Sequence, residues 1–275
     1  MLQLSEIWIY PVKSLGGIAL KESKVMPRGL EHDRRWMLVD EHGVFITQRE
    51  YPELALFQPE INNGFLKISY KGRQSEVLRI SLNESAVKSE NKVCVMVWED
   101  EVHANEVSAE ANNWFTDRLG FKVRLVYMPD ESQRKVDPNY AVSQSDITSF
   151  SDGFPYLIIG QSSLDDLNSR LETALSVKRF RPNFVFTGGE PYEEESWKGF
   201  TIGNLDFFGV KPSGRCVIVT VNPESGAVDG KEPLRTLSKY KTVNKKVIFG
   251  QNVIALQQGS LKVGDEIAVL KKRSN

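Results

Sequence analysis

The sequence predicts a mainly β protein, a β-rich α+β fold with few helices. Three observations predict it: short runs rich in Val, Ile, Phe, Tyr and Trp recur along the 275 residues, Gly, Pro, Asn and Asp punctuate them, and helical periodicity is confined to three short stretches. At 40% hydrophobic and 26% charged, with no apolar run of 18 residues, the chain has the composition of a folded globular protein and not of a disordered or membrane-spanning one. Its 35 basic and 36 acidic residues balance, which excludes the electrostatic footprint of a general nucleic-acid binder and leaves room only for a local basic pocket.

Strands are expected at residues 4–10, 35–39, 44–47, 65–70, 77–82, 92–97 and 122–127, then at 156–159, 183–187, 205–210, 216–221, 247–255 and 266–270. Asp40-Glu41-His42-Gly43 reads as a hairpin turn in which Gly43 takes a positive φ. A helix is expected over 106–119, where Val107, Ala111, Trp114, Phe115 and Leu119 repeat at helical spacing and Gly120 supplies the stop. Ser162-x-x-Asp165 reads as the cap of a second helix, with Leu164, Leu167, Leu171 and Leu175 as its apolar stripe. A third, short helix starts at Pro233 with Leu234 and Leu237 inward. The polar stretch 129–151, with two prolines and little periodicity, reads as a long ordered loop or a connector, so the chain divides into 1–128 and 129–275.

Two cysteines, neither in a Cys-x-x-Cys or Cys/His cluster, fit a reducing compartment and no zinc or iron–sulfur site. His32, His42 and His103 are scattered and read as surface residues. The opening MLQLSEIWIYPVKS has neither a basic leader nor a cleavage site, and reads as a first strand.

Positive charge meets turn residues in three places. In Tyr10-Pro11-Val12-Lys13-Ser14 the proline ends the strand, and Lys13 and Ser14 offer an ammonium and a hydroxyl suited to a phosphate; a solvated lysine is the plainer reading. In Asp33-Arg34-Arg35-Trp36 the two arginines point to opposite faces if both lie in the strand. In Arg179-Phe180-Arg181-Pro182-Asn183 the proline biases Arg181 to an extended conformation, from which its guanidinium can fork onto an anionic oxygen. A fourth segment, Ser213-Gly214-Arg215-Cys216 and the β-branched run after it, puts a thiol where a loop becomes a strand, beside an arginine that favours the thiolate. By its position alone Cys216 reads more readily as a small buried hydrophobe than as a reactive thiol, and Cys94, inside Val93-Cys94-Val95-Met96-Val97, does so still more.

Taken in order, YPVKS, DRRW with FITQRE, FRPN, RCVIVTVNPESG, KEPLRTL and a late VGDEI resemble the MOSC superfamily with its N-terminal β-barrel domain, in particular the amidoxime-reducing components and their bacterial relatives. The resemblance runs from Tyr10 to about Leu270. It implies an N-terminal MOSC β-barrel domain followed by a MOSC β-barrel domain with a few helices. It also implies molybdenum cofactor, the molybdenum-molybdopterin group, ligated by Cys216 as the metal-binding and catalytic residue. Cofactor-binding roles pass by the same resemblance to Lys13, Ser14, Arg34, Ser151, Arg181, Asn183, Ser213, Gly214 and Arg215. A polyanionic cofactor makes physical sense of donors converging from distant segments.

The implied activity is reduction of N-hydroxylated compounds (amidoximes, hydroxylamines, N-hydroxylated bases) with electrons from a separate ferredoxin-, flavodoxin- or cytochrome-like protein. The chain has neither the ferredoxin cysteines of some bacterial relatives nor the anchor of the mitochondrial ones, so a cytoplasmic, bacterial protein without nucleic-acid or membrane partners is expected. Two other readings accompany it: a carrier or sulfur-transfer module for the cofactor without reductase turnover, and a degenerate member that holds no molybdenum cofactor and keeps a basic pocket for another anion.

Overall fold

The computed structural model describes residues 1–71, 77–83 and 92–273. Seven strands close into a barrel in the order Tyr156–Gly160, Phe184–Thr187, Leu2–Ile9, Glu266–Lys272, Trp197–Ile202, Leu205–Gly214 and Lys246–Ala255, the last pairing back onto the first. Closure leaves these strands no free edge. The barrel is filled by inward-alternating Leu4, Ile7, Phe184, Phe186, Trp197, Phe200 and Phe207, each at most 1% exposed. At about 1.5–3 kcal/mol for each such side chain removed from water, this interior is the main stabilising element of that half.

The other half packs the sheet Trp36–Val39, Arg124–Tyr127, Asp100–Glu106, Lys92–Val97 and the meander Phe57–Asn62, Phe65–Tyr70, Leu78–Ser81 around the helix Ala109–Leu119. Trp36, Leu38, Phe57, Leu66, Trp114 and Phe115 form its core. The opening strand belongs to the barrel, yet Val12 bridges Trp36 and the Lys13 amide donates to the Trp36 carbonyl. Residues 10–14 therefore cross from one half to the other. The connector 129–151 pairs within itself, Arg134–Lys135 with Ile147–Thr148, and touches both halves: Phe150 packs against Met37, Val39 and Val95, and the Tyr140 ring centre lies 3.5 Å from Lys211 Nζ of the barrel.

Several expectations are corrected. Residues 216–221 are not a strand: after Gly214 the chain leaves the sheet and turns into the 3-10 helix Val217–Thr220, with the Val219 amide donating to the Cys216 carbonyl and the Thr220 hydroxyl to the Val217 carbonyl. Burial of Val219 and Thr220 outweighs the β preference of the run. Residues 44–47 make only isolated bridges, although the expected turn forms, Gly43 at φ +81 and the Asp40 carboxylate accepting from the His42 and Val44 amides. The first helix begins at Ala109, capped by the Ser108 hydroxyl. The second spans only Gln161–Asn168 with Gly160 at its N-cap and no side-chain cap from Ser162; the Asn168 side chain binds the Leu175 backbone and closes the loop that carries Leu171 and Leu175. Cys94 is exposed, on the solvent side of an edge strand. Of the histidines, His42 and His103 are exposed and His32 half-buried.

Among the described residues no helix is long and apolar enough to cross a membrane.

Candidate cofactor site at the junction of the two halves

The site forms where the chain crosses between the halves. Ser14, Arg34 and Arg181 have φ of +68, +50 and +55, a left-handed backbone that side-chain-bearing residues seldom adopt. Arg181 is thus not extended, and Arg34 lies ahead of the strand that starts at Trp36. Strained residues of this kind persist only where their surroundings over-determine them, and they gather at functional sites.

The surroundings here are a hydrogen-bonded hub on Asp33. Fully buried, its carboxylate accepts from the Tyr10 amide at 2.8 Å, from Asn183 Nδ2 at 3.1 Å and from Arg34 Nη1. Asn183 spends its remaining capacity on the Trp8 carbonyl, the Leu157 amide and Arg34 Nη1. It therefore braces Arg34 and faces no open space. The Arg34 and Arg181 guanidinium carbons lie 4.5 Å and 4.2 Å from the Tyr10 ring centre, and Arg34 Nη2 donates to the Arg181 carbonyl at 3.0 Å. Burial pushes the Arg181 guanidinium down to about 10, and among the described residues the buried Tyr10 hydroxyl has no hydrogen-bond partner.

Lys13 reaches the Phe150 carbonyl at 2.8 Å and Asp152 Oδ1 at 2.7 Å. Its burial lowers its pKa and Asp152 opposes that; burial would raise the Asp152 carboxyl, but Lys13, Arg49 and Arg34 together hold it well below the carboxylate range. The Asp152 side chain is nonetheless 65% exposed, so this charge faces solvent. The Ser151 hydroxyl turns the other way, to Thr148 and the Phe154 carbonyl. Buried Arg134 fixes the loop by donating to the carbonyls of Ser149, Ser151 and Asp152.

Arg215 comes from the barrel side. It donates to the Phe249 carbonyl at 2.6 and 2.8 Å and to the Phe180 carbonyl at 3.0 Å. Burial pushes it down to about 10 against the charges of Cys216, Asp152 and Glu195. The thiol of Cys216 is exposed where the sheet ends. Register shifts on either side of Pro212 bend the strand there, Ser213 is buried, and a Cβ on Gly214 would meet only the Lys246 side chain at 3.7 Å, which leaves room beside the thiol. Arg179 braces the turn that follows Cys216, donating to the Thr220 carbonyl at 2.9 Å.

Lys13, Arg34, Arg181 and Arg215 thus all lie within electrostatic reach of Asp152, with Cys216 next to Arg215; Asn183 and Ser151 turn to inward partners, and Asp33, Asp152, Arg134 and Arg179 are structural partners of this cluster that sequence reasoning missed. One signal was available: a carboxylate inside a run as basic as DRRW is rarely buried unless paired. The donor set suits an anionic group that brings its own metal ligands. One exposed thiol stands among several cations, and among the described residues no group of three His, Cys, Asp or Glu side chains is placed to hold an ion unaided.

Residues 1–122 match the MOSC N-terminal beta barrel domain and residues 146–268 the MOSC domain. The chain is 34% identical to rat mitochondrial amidoxime reducing component 2 and 30% identical to human mitochondrial amidoxime-reducing component 1, covering 96% and 97% of this chain and 82% of each relative. It is also 30% identical to the Arabidopsis thaliana molybdenum cofactor sulfurase, over 96% of this chain and 35% of that one. Sequence, barrel and ordered motifs agree: the chain belongs to the MOSC family that includes the mitochondrial amidoxime-reducing components.

Proposed function

We propose that this protein is a molybdenum cofactor-dependent oxidoreductase that reduces N-hydroxylated compounds, with electrons delivered by a separate redox protein. The observation that carries the reading is the exposed Cys216 thiol set beside Arg215 at a cleft whose walls are Lys13, Arg34 and Arg181, in a chain similar over nearly its whole length to proteins named amidoxime-reducing components. Lys13, Arg34 and Arg181 would hold the phosphate and pterin of the cofactor, with Ser14 and the Ser213-Gly214 backbone alongside, and Cys216 would be the protein's ligand to the metal. When bound, the cofactor supplies the two-electron chemistry that removes the N-hydroxyl oxygen as water.

The residues contribute charge and order. Arg215, immobilised on two carbonyls, holds a fixed positive charge next to Cys216. Asp152 supplies the counter-charge that lets several cations converge without mutual repulsion. We place the division of the chain at 128/129, ahead of the connector that carries Asp152 to the cleft.

The test is molybdenum and pterin content, with reduction of benzamidoxime by an artificial donor, for the wild type and Cys216→Ser. Near-stoichiometric cofactor with turnover, both lost in the variant while the fold persists, is the expected result; full activity of the variant removes Cys216 from the reaction. The similarity to the sulfurase supports a second reading, a cofactor carrier, which retention and release of cofactor without turnover would favour.

A further inference from the structure

One cation of the cleft differs from the rest. Among the described residues the Arg49 guanidinium donates to no protein atom, whereas Arg34 and Arg215 are committed to backbone and side-chain acceptors. Arg49 is not adrift: its guanidinium carbon lies 4.1 Å from the Trp98 ring centre, and the Gln48 amide before it is tied to the Ser14 carbonyl. Trp98 in turn packs on Phe45 at 5.2 Å, and Lys13 Nζ lies 5.3 Å from the Phe45 ring. The stack thus joins the wall that holds Lys13 and Asp152, and Arg49 is close enough to Asp152 to lower its pKa although no hydrogen bond or ion pair joins them.

Trp98 carries an independent sign. It occupies the two-residue loop between paired Val97 and Asp100 with φ +59, where glycine or asparagine is favoured and a bulky ring is a genuine outlier. Trp98 is also 43% exposed, one aromatic contact away from the Phe45 ring beside Lys13. Strain and exposed apolar surface are tolerated together, and the visible return is an arginine held flat with its donors open.

Resting on the reductase reading, we propose that Arg49, stacked on Trp98, is a specificity-determining anchor for the anionic substituent of the substrate, so that the enzyme prefers N-hydroxylated compounds bearing a carboxylate or phosphate over neutral ones. A planar guanidinium with free donors takes two oxygens of either group at once, and the aromatic face keeps the arm from folding back to solvent.

The test compares benzamidoxime with 4-carboxybenzamidoxime, and N4-hydroxycytidine with its 5′-monophosphate, on cofactor-loaded protein. Binding is read by tryptophan fluorescence against a Trp98→Phe control, and turnover is read separately. One lost charge-assisted pair corresponds to roughly tenfold or more in affinity. The anionic member of one or both pairs should therefore bind about tenfold more tightly, and which pair shows it identifies the anion. Arg49→Gln should remove that preference through KM of the charged compound, Arg49→Lys should restore part of it, and molybdenum content should stay constant. Equal binding of charged and neutral members, or equal losses for both in Arg49→Gln, overturns the anchor. A fall in bound molybdenum and pterin in Arg49→Gln overturns it too, since Arg49 would then hold the cofactor. Anion-selective binding without turnover of any N-hydroxylated compound leaves the anchor standing and removes the reductase.

Discussion

Asp33→Asn is the sharpest test of how the fold builds the cleft. The change is isosteric and removes one charge at a side chain with no exposure to solvent. Asp33 Oδ1 accepts from the Tyr10 amide and Oδ2 from both Arg34 and Asn183, so an asparagine amide must point its NH2 at a donor in either orientation. One orientation opposes the Tyr10 N–H, and the other opposes two donors and forfeits both bonds. In each case the Arg34 guanidinium, only 11% exposed, loses its carboxylate. Breaking a buried pair from one side costs about 3–5 kcal/mol, and at 2–4 °C per kcal/mol for a protein of this size the melting temperature should fall by roughly 6–20 °C. Urea unfolding should show a lower midpoint with an unchanged slope. Arg34 would also lose its fixed position, so bound molybdenum should drop in parallel. A loss below about 1 kcal/mol, the worth of a single ordinary hydrogen bond, would refute the hub, as would additive effects of Asp33→Asn and Asn183→Ala in a double-mutant cycle.

Two further predictions concern the barrel. Glu194 is fully buried, accepts from the Gly160 amide and the Ser163 hydroxyl, and is pushed up by its burial from 4.5 to about 7. A folded-state pKa above the unfolded one means that the native protein binds the extra proton, so this contribution is fully present below pH 4.5 and is lost as pH rises through 7, by about 3 kcal/mol. Denaturation from pH 4.5 to 8 should show that decline in the wild type relative to Glu194→Gln; parallel curves would reject it. A Cβ on Gly209 would lie 2.1 Å from the Trp197 carbonyl oxygen, a backbone atom that cannot step aside. Gly209→Ala should therefore cost about 1–3 kcal/mol, whereas Gly214→Ala, with open space around it, should stay within about 0.5 kcal/mol; equal midpoints for both would contradict the packing described.

The β-rich fold was legible because alternation and turn chemistry act locally, and the barrel strands obey both. Leu2–Ile9 alternates Ile7 and Ile9 inward, a register shift between Leu4 and Glu6 brings Leu4 to the same face, and Gly43 turns where glycine is needed. What was hidden is set by distant partners. Nothing within residues 216–221 says that a β-branched run will coil, because the deciding contacts are the Arg179 side chain at Thr220 and the end of pairing at Gly214. Pro182 argues for an extended Arg181, and the structure overrides it with carbonyl and aryl partners supplied by residues 10–34. In the same way Asp33 and Arg134 are ordinary charged residues in the sequence and become interior partners, and Asp152 becomes the partner of buried Lys13, only in the folded chain.

The cleft also shows that positive charge does two different jobs there. Arg34, Arg181 and Arg215 donate to carbonyls or to side chains that the fold itself provides, Arg181 to Leu15 and Arg215 to Phe180 and Phe249. Such groups cannot swing to follow a ligand, and they present a fixed field to whatever anion enters; in a partly desolvated cleft that field acts without reorganisation. Arg49 is built the other way, oriented by a ring and not by acceptors, so its directional bonding capacity is still available. On the proposed function, a site that retains one polyanion and exchanges another at each turnover would need both kinds. Arg34 and Arg181 flank the Tyr10 ring and Arg215 precedes Cys216, whereas Arg49, without a hydrogen-bond acceptor among the described residues, lies on the exposed Trp98.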